Sequence, residues 1–200
     1  MSMLIAGAGP GVLRCARCGH AADWKDARLQ VVCECRPRFD LPPVYVREAG
    51  PPDADAALAL FQRHFRRAEV VAFGELLALP VLPAVVADMN GEVAGVLAYR
   101  RVSDALQIVA LAADPVWQRS GVGGHLVAEV ELMARQAKAS RVIACTSNDN
   151  LPSLYFYQRR GYRITEVVPG ALLPYVTPAW APGFAGIPVR DEIRIEKTLC

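Results

Sequence analysis

Between Pro83 and Ala113 three apolar runs follow one another, and the first two are joined by Asn90-Gly91. A two-residue connection of this kind needs positive φ at both positions, which Asn and Gly tolerate and which matches the twist of paired strands. Residues 83–88 and 92–102 therefore read as a hairpin, and 106–113 as a third strand of the same antiparallel meander. Such a sheet must be covered, so the segments before and after it have to supply helices.

They do. Residues 53–66 read as a helix opened by the acidic Asp53, with Leu58, Phe61 and Phe65 on one face. A second helical piece is expected over 70–77, behind a short first strand at 44–47. After the meander, a glycine-rich turn runs into a helix extending to about Ala139, with Leu126, Val130, Met133 and Ala137 at helical spacing. Residues 141–146 read as a buried strand, 152–160 as a helix ended by Gly161, 162–168 as a strand, and 190–198 as the last strand. The fold class is α/β (α+β): a mixed, mostly antiparallel central sheet flanked by helices.

The front of the chain follows another logic. Of six cysteines, Cys15, Cys18, Cys33 and Cys35 fall in the first forty residues, while Cys145 and Cys200 stand alone. No segment reads as targeting or membrane-spanning, and thiols clustered in a cytoplasmic chain favour a metal over disulfides. Cys15-x-x-Cys18 with Cys33-x-Cys35 offers four tetrahedral ligands for a structural zinc, in a small module resembling a zinc ribbon. The second pair is one residue shorter than the usual Cys-x-x-Cys, and His20 could replace one thiolate. Proline-rich residues 36–43 suit a stiff connector, giving a cysteine-rich module at 1–42 and a main domain at 43–200. Ahead of the cysteines, Gly7, Gly9 and Gly11 form a glycine-rich leader without the helical pattern that a dinucleotide-binding turn requires.

With 53% hydrophobic and 21% charged residues and a net charge of +2, the 200-residue chain carries no long basic run. Nucleic acid and membrane are not expected partners.

Two motifs carry the chemistry. Gln118, Arg119, Ser120, Gly121, Val122, Gly123 and Gly124 lie between a strand and a helix. Backbone amides and the helix's positive end could cradle a phosphate there, or the glycines could simply make a tight connection. Downstream, Asn150 is followed by Phe156, Tyr157, Gly161 and Tyr162. Together these residues resemble the GNAT superfamily of N-acyltransferases, whose first motif is Gln/Arg-x-x-Gly-x-Gly/Ala. Its second motif is Asn-x-x-Ala-x-x-(apolar)-Tyr-x-x-x-Gly-(aromatic), with Ser153 here in place of Ala. The likeness spans residues 44–200.

The resemblance implies a cytoplasmic acetyl-CoA-dependent N-acetyltransferase of GNAT fold, in which an amine attacks the thioester directly. By carry-over, Leu111 and Ala113 offer backbone groups to the pantetheine arm, the turn from Gln118 to Gly124 holds the pyrophosphate, and Asn150 helps bind the arm. A backbone N–H near Leu111 would steady the oxyanion, and Tyr157 would protonate the leaving thiolate. The general base stays open among Glu192, Asp104, His125 and water. Cys145 reads as a packed strand residue and not a nucleophile, and His64 and His125 as ordinary helix residues. The 169–188 segment, with Tyr175, Trp180 and Phe184, either walls the acceptor site or packs as an ordinary loop.

The acceptor amine is not specified by these motifs. A homodimer, or a protein partner docked through the front module, is compatible with them. An alternative from another class is an acyl-CoA sensor that uses the zinc module to dock a partner without turnover.

Overall fold

In the computed structural model the described residues are 4–6, 13–15, 43–117, 120–176 and 183–199. The chain divides into two compact units, Met1–Leu41 and Pro42–Cys200. In the first, strand β1 (Leu4–Ala6) pairs antiparallel with β2 (Leu13–Cys15), placing Leu4 opposite Cys15. The expected leader thus contains a strand. Cys18, Cys33 and Cys35, with the side chain of Cys15, lie outside the described residues, as do His20 and the 36–42 connector.

The second unit is built on a seven-stranded sheet in the order β10-β11-β9-β8-β7-β6-β3. Its strands are β3 (Tyr45–Glu48), β6 (Ala84–Met89), β7 (Glu92–Val102), β8 (Ala105–Ala113), β9 (Arg141–Ser147), β10 (Arg163–Val168) and β11 (Glu192–Thr198). Every neighbouring pair is antiparallel except β8 and β9. Asn90 and Gly91 turn the β6–β7 hairpin with φ of 57° and 82°, as a primed turn requires.

Side chains alternate between two cores. Val85, Ala87, Leu97, Ile108, Ala144 and Ile195 meet helix α2 (Val122–Gln136) and Tyr157 of helix α3 (Leu151–Gln158). On the opposite face Val86, Val96, Ala110 and Ala112 meet Leu60 and Phe61 of helix α1 (Ala54–Phe65). Asp53 occupies the N-cap position of α1, but its side chain does not cap it. It turns back to accept two hydrogen bonds from Arg47, at 2.6 and 2.7 Å, and one from the Gly50 amide at 2.7 Å.

The helix expected at 70–77 is instead a hairpin of β4 (Glu69–Ala72) and β5 (Glu75–Ala78). Phe73 and Gly74 form its two-residue turn, with φ of 57° and 75°. β-Branched Val70 and Val71 favour strand here, while Ala72 and Leu79 are buried in the α1-side core. Among the described residues no helix is long and apolar enough to cross a membrane.

Candidate functional site

The sheet opens at its centre. β8 and β9 pair only from Ala105 with Arg141 to Ile108 with Ala144. Beyond that point β8 stays bonded to β7 as far as Ala113 opposite Gly95, and β9 to β11 as far as Ser147 opposite Glu192. The two parallel strands therefore diverge while each keeps its outer neighbour. A bulge in β8 coincides with the divergence: Ala98 faces Ala110 and Tyr99 faces Ile108, which leaves Val109 without a partner.

The bulge sets which backbone groups face the opening. Asp114 donates its amide to the Ala94 carbonyl at 2.8 Å, so Ala113 and Gly95 are a non-hydrogen-bonded pair. The N–H and C=O of Ala113 then point away from β7, and by alternation so do those of Leu111. Both are the residues expected to present backbone to a pantetheine arm. One group is already engaged: His64 of α1 places Nε2 at 2.7 Å from the Ala113 carbonyl oxygen.

At the same end of β8 stands the start of α2. Gln118 and Arg119 lie outside the described residues. The Ser120 hydroxyl bonds the Trp117 carbonyl, and Gly121 sits at the N-cap position with φ of 97°. His125 is bonded to the Gly121 carbonyl at 3.1 Å, so the amides of Val122, Gly123 and Gly124 precede the first intrahelical bond. Val122 is buried and explains Gly95, where a Cβ would meet Val122 Cγ1 at 2.5 Å. A Cβ on Gly123 would lie 3.4 Å from the Phe156 ring, and one on Gly124 only 2.6 Å from Arg160 Nη2.

Helix α3 borders the opening from the β9 end. Asn150 caps it by accepting the Ser153 amide at 3.2 Å, a structural role that sequence reasoning did not assign. Tyr157 is buried, with its ring edge-on to Phe156 and tilted against Tyr162. Burial, aided by the Cys145 thiol and opposed by Arg160, raises the phenol above its ordinary value, so it remains protonated at neutral pH.

Cys145 belongs to the α1 side of the sheet. Burial first and Glu192 second push its thiol up to about 12, while the Phe73 backbone opposes the shift. A thiol so protonated is no nucleophile. Glu192 is itself buried, accepting from Arg194 Nε at 2.8 Å and from the Gly74 amide at 3.2 Å. The hairpin tip is thus docked on the sheet by two successive residues, and the Arg100 guanidinium lies 5.8 Å from the Phe73 ring centroid.

The three candidate bases are dispersed. Asp104 precedes β8, at the end where β8 and β9 are still paired, and there it holds Ser140 and Arg141. It is remote from the opening and does not join the site. His125 stands in the first turn of α2, with Glu192 on β11. Trp180 lies outside the described residues, and Tyr175 is exposed. Phe184 donates its amide to Asp149 Oδ2 at 2.9 Å, which fastens that part of the long loop beside Asn150.

Residues 50–162 match the Acetyltransferase (GNAT) family. Two Bacillus subtilis proteins are similar along most of their length. The uncharacterized protein YxbD is 28% identical over 72% of this chain and 92% of its own. The uncharacterized protein YdhI is 30% identical over 70% and 88%. Among solved structures, an IAA acetyltransferase from Bacillus cereus superposes with a TM-score of 0.61 at 20% identity, covering 78% of this chain and all of its own. A Bacillus subtilis acetyltransferase in complex with CoA gives 0.59 at 21% identity, covering 80% and 99%. A GNAT family acetyltransferase from Elizabethkingia anophelis with acetyl-CoA bound gives 0.58 at 22%, covering 78% and 98%.

Proposed function

The chain belongs to the acetyltransferase (GNAT) family, and we propose that it uses the opening between β8 and β9 to hold acetyl-CoA for direct transfer of the acetyl group to an amine. The observation that carries this reading is the edge of β8 at Leu111 and Ala113, which no strand pairs beyond Ile108, so that an extended amide-bearing arm could bond the Leu111 backbone and the Ala113 amide as an added strand.

Acetyl-CoA-dependent acetyl transfer is the activity of the family. Within this chain, the α2 turn at Gly121, Val122, Gly123 and Gly124 would take the pyrophosphate, supported by orphan amides at a helix's positive end. Gln118, Arg119 and Ser120 lead into that turn. Asn150 keeps its Nδ2 for the arm, since its Oδ1 is committed to the cap. Holding thioester and amine side by side turns a bimolecular encounter into a local step. The Leu111 amide would steady the developing oxyanion, and Tyr157, protonated at neutral pH, would donate to the departing thiolate.

The acceptor would approach from the α1 side, where the β4–β5 tip, Cys145 and Glu192 meet. The reading extends to the front of the chain: Cys15, Cys18, Cys33 and Cys35 would hold one structural zinc, supported by their spacing alone. Zinc content of the purified protein, with Cys33→Ser as control, tests that part; no zinc in the wild type would reject it.

The transfer itself is tested by CoA release with acetyl-CoA and an amine panel. Turnover of some amine, reduced roughly 10²-fold or more by Tyr157→Phe with acetyl-CoA binding retained, is the expected result. Unchanged turnover in that variant would reject Tyr157 as the acid.

A further inference from the structure

Arg160 holds a cation where the fold otherwise concentrates positive potential. It follows the end of α3, and its side chain reaches across to the first turn of α2, so close that a Cβ on Gly124 would lie 2.6 Å from Nη2. The helix start contributes about half a positive charge, and a guanidinium beside it is repelled in the absence of an anion.

Two features fix the guanidinium in place. Its Cζ lies over the Phe156 ring, 3.7 Å from the centroid, and Nη1 donates to the Phe156 carbonyl oxygen at 2.9 Å. The bland explanation is a C-terminal cap for α3. That role uses one of five N–H donors and does not require a site against the wrong end of another helix.

Among the described residues no carboxylate lies within 4.0 Å of Arg160; other arginines without such a partner, including Arg101, Arg135 and Arg159, are exposed, whereas Arg47, Arg63, Arg100, Arg141 and Arg194 each have one. The side chain is also half-buried, and desolvation lowers its pKa. Space has been reserved for it as well. Gly124 is the third residue of α2, and there the missing methyl is what admits the guanidinium.

We propose that Arg160 is a phosphate ligand of acetyl-CoA, its guanidinium flanking the anion that the first turn of α2 receives. This rests on the CoA site proposed above and adds to it Arg160, which fills one of the unspecified positions between Tyr157 and Gly161 of the second motif. A locked, planar fork suits two phosphate oxygens, and the anion would remove the repulsion between Arg160 and the helix start. Both the pyrophosphate and the 3′-phosphate of CoA have the required chemistry.

The test is calorimetric titration of the full-length protein with acetyl-CoA and with 3′-dephospho-CoA, comparing wild type, Arg160→Gln, Arg160→Lys and Gly124→Ala. Arg160→Gln is expected to raise the Kd for acetyl-CoA at least tenfold, and Arg160→Lys to recover part of it. An equal loss with 3′-dephospho-CoA assigns the contact to the pyrophosphate, and a loss that vanishes assigns it to the 3′-phosphate. Gly124→Ala keeps the charge but displaces the fork, and its Kd should rise at least fivefold at unchanged melting temperature. If Arg160→Gln does not fold, Arg160→Lys decides the matter, since it leaves the glycines of the turn in place and removes only the fork. Wild-type binding with folded Arg160 and Gly124 variants within twofold overturns the assignment of Arg160 alone. Failure of the wild type to bind acetyl-CoA overturns the CoA site and Arg160 together.

Discussion

His64 Nε2 lies 2.7 Å from the carbonyl oxygen of Ala113, joining the last turn of α1 to the end of β8 where that strand has parted from β9. A carbonyl oxygen only accepts, so Nε2 carries the proton. Desolvation, with Arg63 second, lowers the His64 pKa, which favours the neutral ring at neutral pH. Next to it, Arg63 pairs with Asp114 at 2.7 Å, so two successive residues tether the free edge of the strand. His64→Ala is expected to raise KM for acetyl-CoA several-fold while leaving kcat nearly unchanged. Steady-state kinetics with acetyl-CoA varied at saturating amine check this, and an unchanged KM would show that the strand end holds its place without the tether.

Gly95 leaves room for Val122 under the start of α2. A methyl there would sit 2.5 Å from Val122 Cγ1 and 3.2 Å from the Ala112 carbonyl. Gly95→Ala should therefore destabilise by about 1–3 kcal/mol, an overpacking effect in a closely packed layer. Urea unfolding measures it. A loss under 0.5 kcal/mol, on the order of an ordinary surface substitution, would mean that α2 shifts freely on the sheet.

Arg47 and the Gly50 amide hold the Asp53 carboxyl at about 2, below its ordinary 3.8, with the Arg47 hydrogen bonds the largest cause. Between those values the unfolded chain binds more protons than the folded one, so stability falls as the pH drops. The contribution is fully present above the ordinary value and disappears as pH descends through about 2. Asp53→Asn should cost about 1.5–3 kcal/mol at pH 7, the range for a hydrogen bond to a charged group. It should also flatten the decline of melting temperature between pH 4 and pH 2. A parallel decline in both proteins would remove Asp53 from the cause.

Much of this architecture is local in origin, and what is not local was not legible. Asn90-Gly91 announces its hairpin because the two residues themselves accept positive φ. Phe73-Gly74 turns the same way, yet phenylalanine gives no such signal, and Val70, Leu76 and Leu77 suit a helix face as well as a strand. Docking of the tip on Glu192 and burial of Ala72 decide for the hairpin, and both are tertiary facts. The glycines of the α2 turn and Tyr157 stand out in the sequence by spacing. By contrast, His64 meets Ala113 across 49 positions. Its helical surroundings read as an ordinary amphipathic surface, because the partner is a backbone carbonyl with no side-chain signature. Asp104 illustrates the reverse: a carboxylate near the motifs in sequence, placed by the strand direction at the far end of the sheet.

Glu192 separates a structural carboxylate from a catalytic one. It is 1% exposed, and its oxygens accept from Arg194 and from the Gly74 amide, while the Cys145 thiol borders it. Arg194 also pairs with Glu166 at 2.8 Å, so it would not be left without a carboxylate if Glu192 lost its charge. Glu192→Ala removes the anchor of the hairpin tip and leaves the Gly74 amide without its acceptor, which should cost about 2–3 kcal/mol. Glu192→Gln keeps an oxygen for Gly74, and its loss should be about 1–2 kcal/mol. The kinetic prediction follows from the same contacts. A carboxylate already engaged by two donors is a scaffold for the acceptor side, so Glu192→Gln should keep its turnover rate within about threefold, well short of the roughly hundredfold or greater loss expected of a proton-transfer residue. The acidic limb of its pH–rate profile should also be unchanged. Loss of that limb, together with turnover slowed roughly a hundredfold or more, would instead make Glu192 the base that deprotonates the amine.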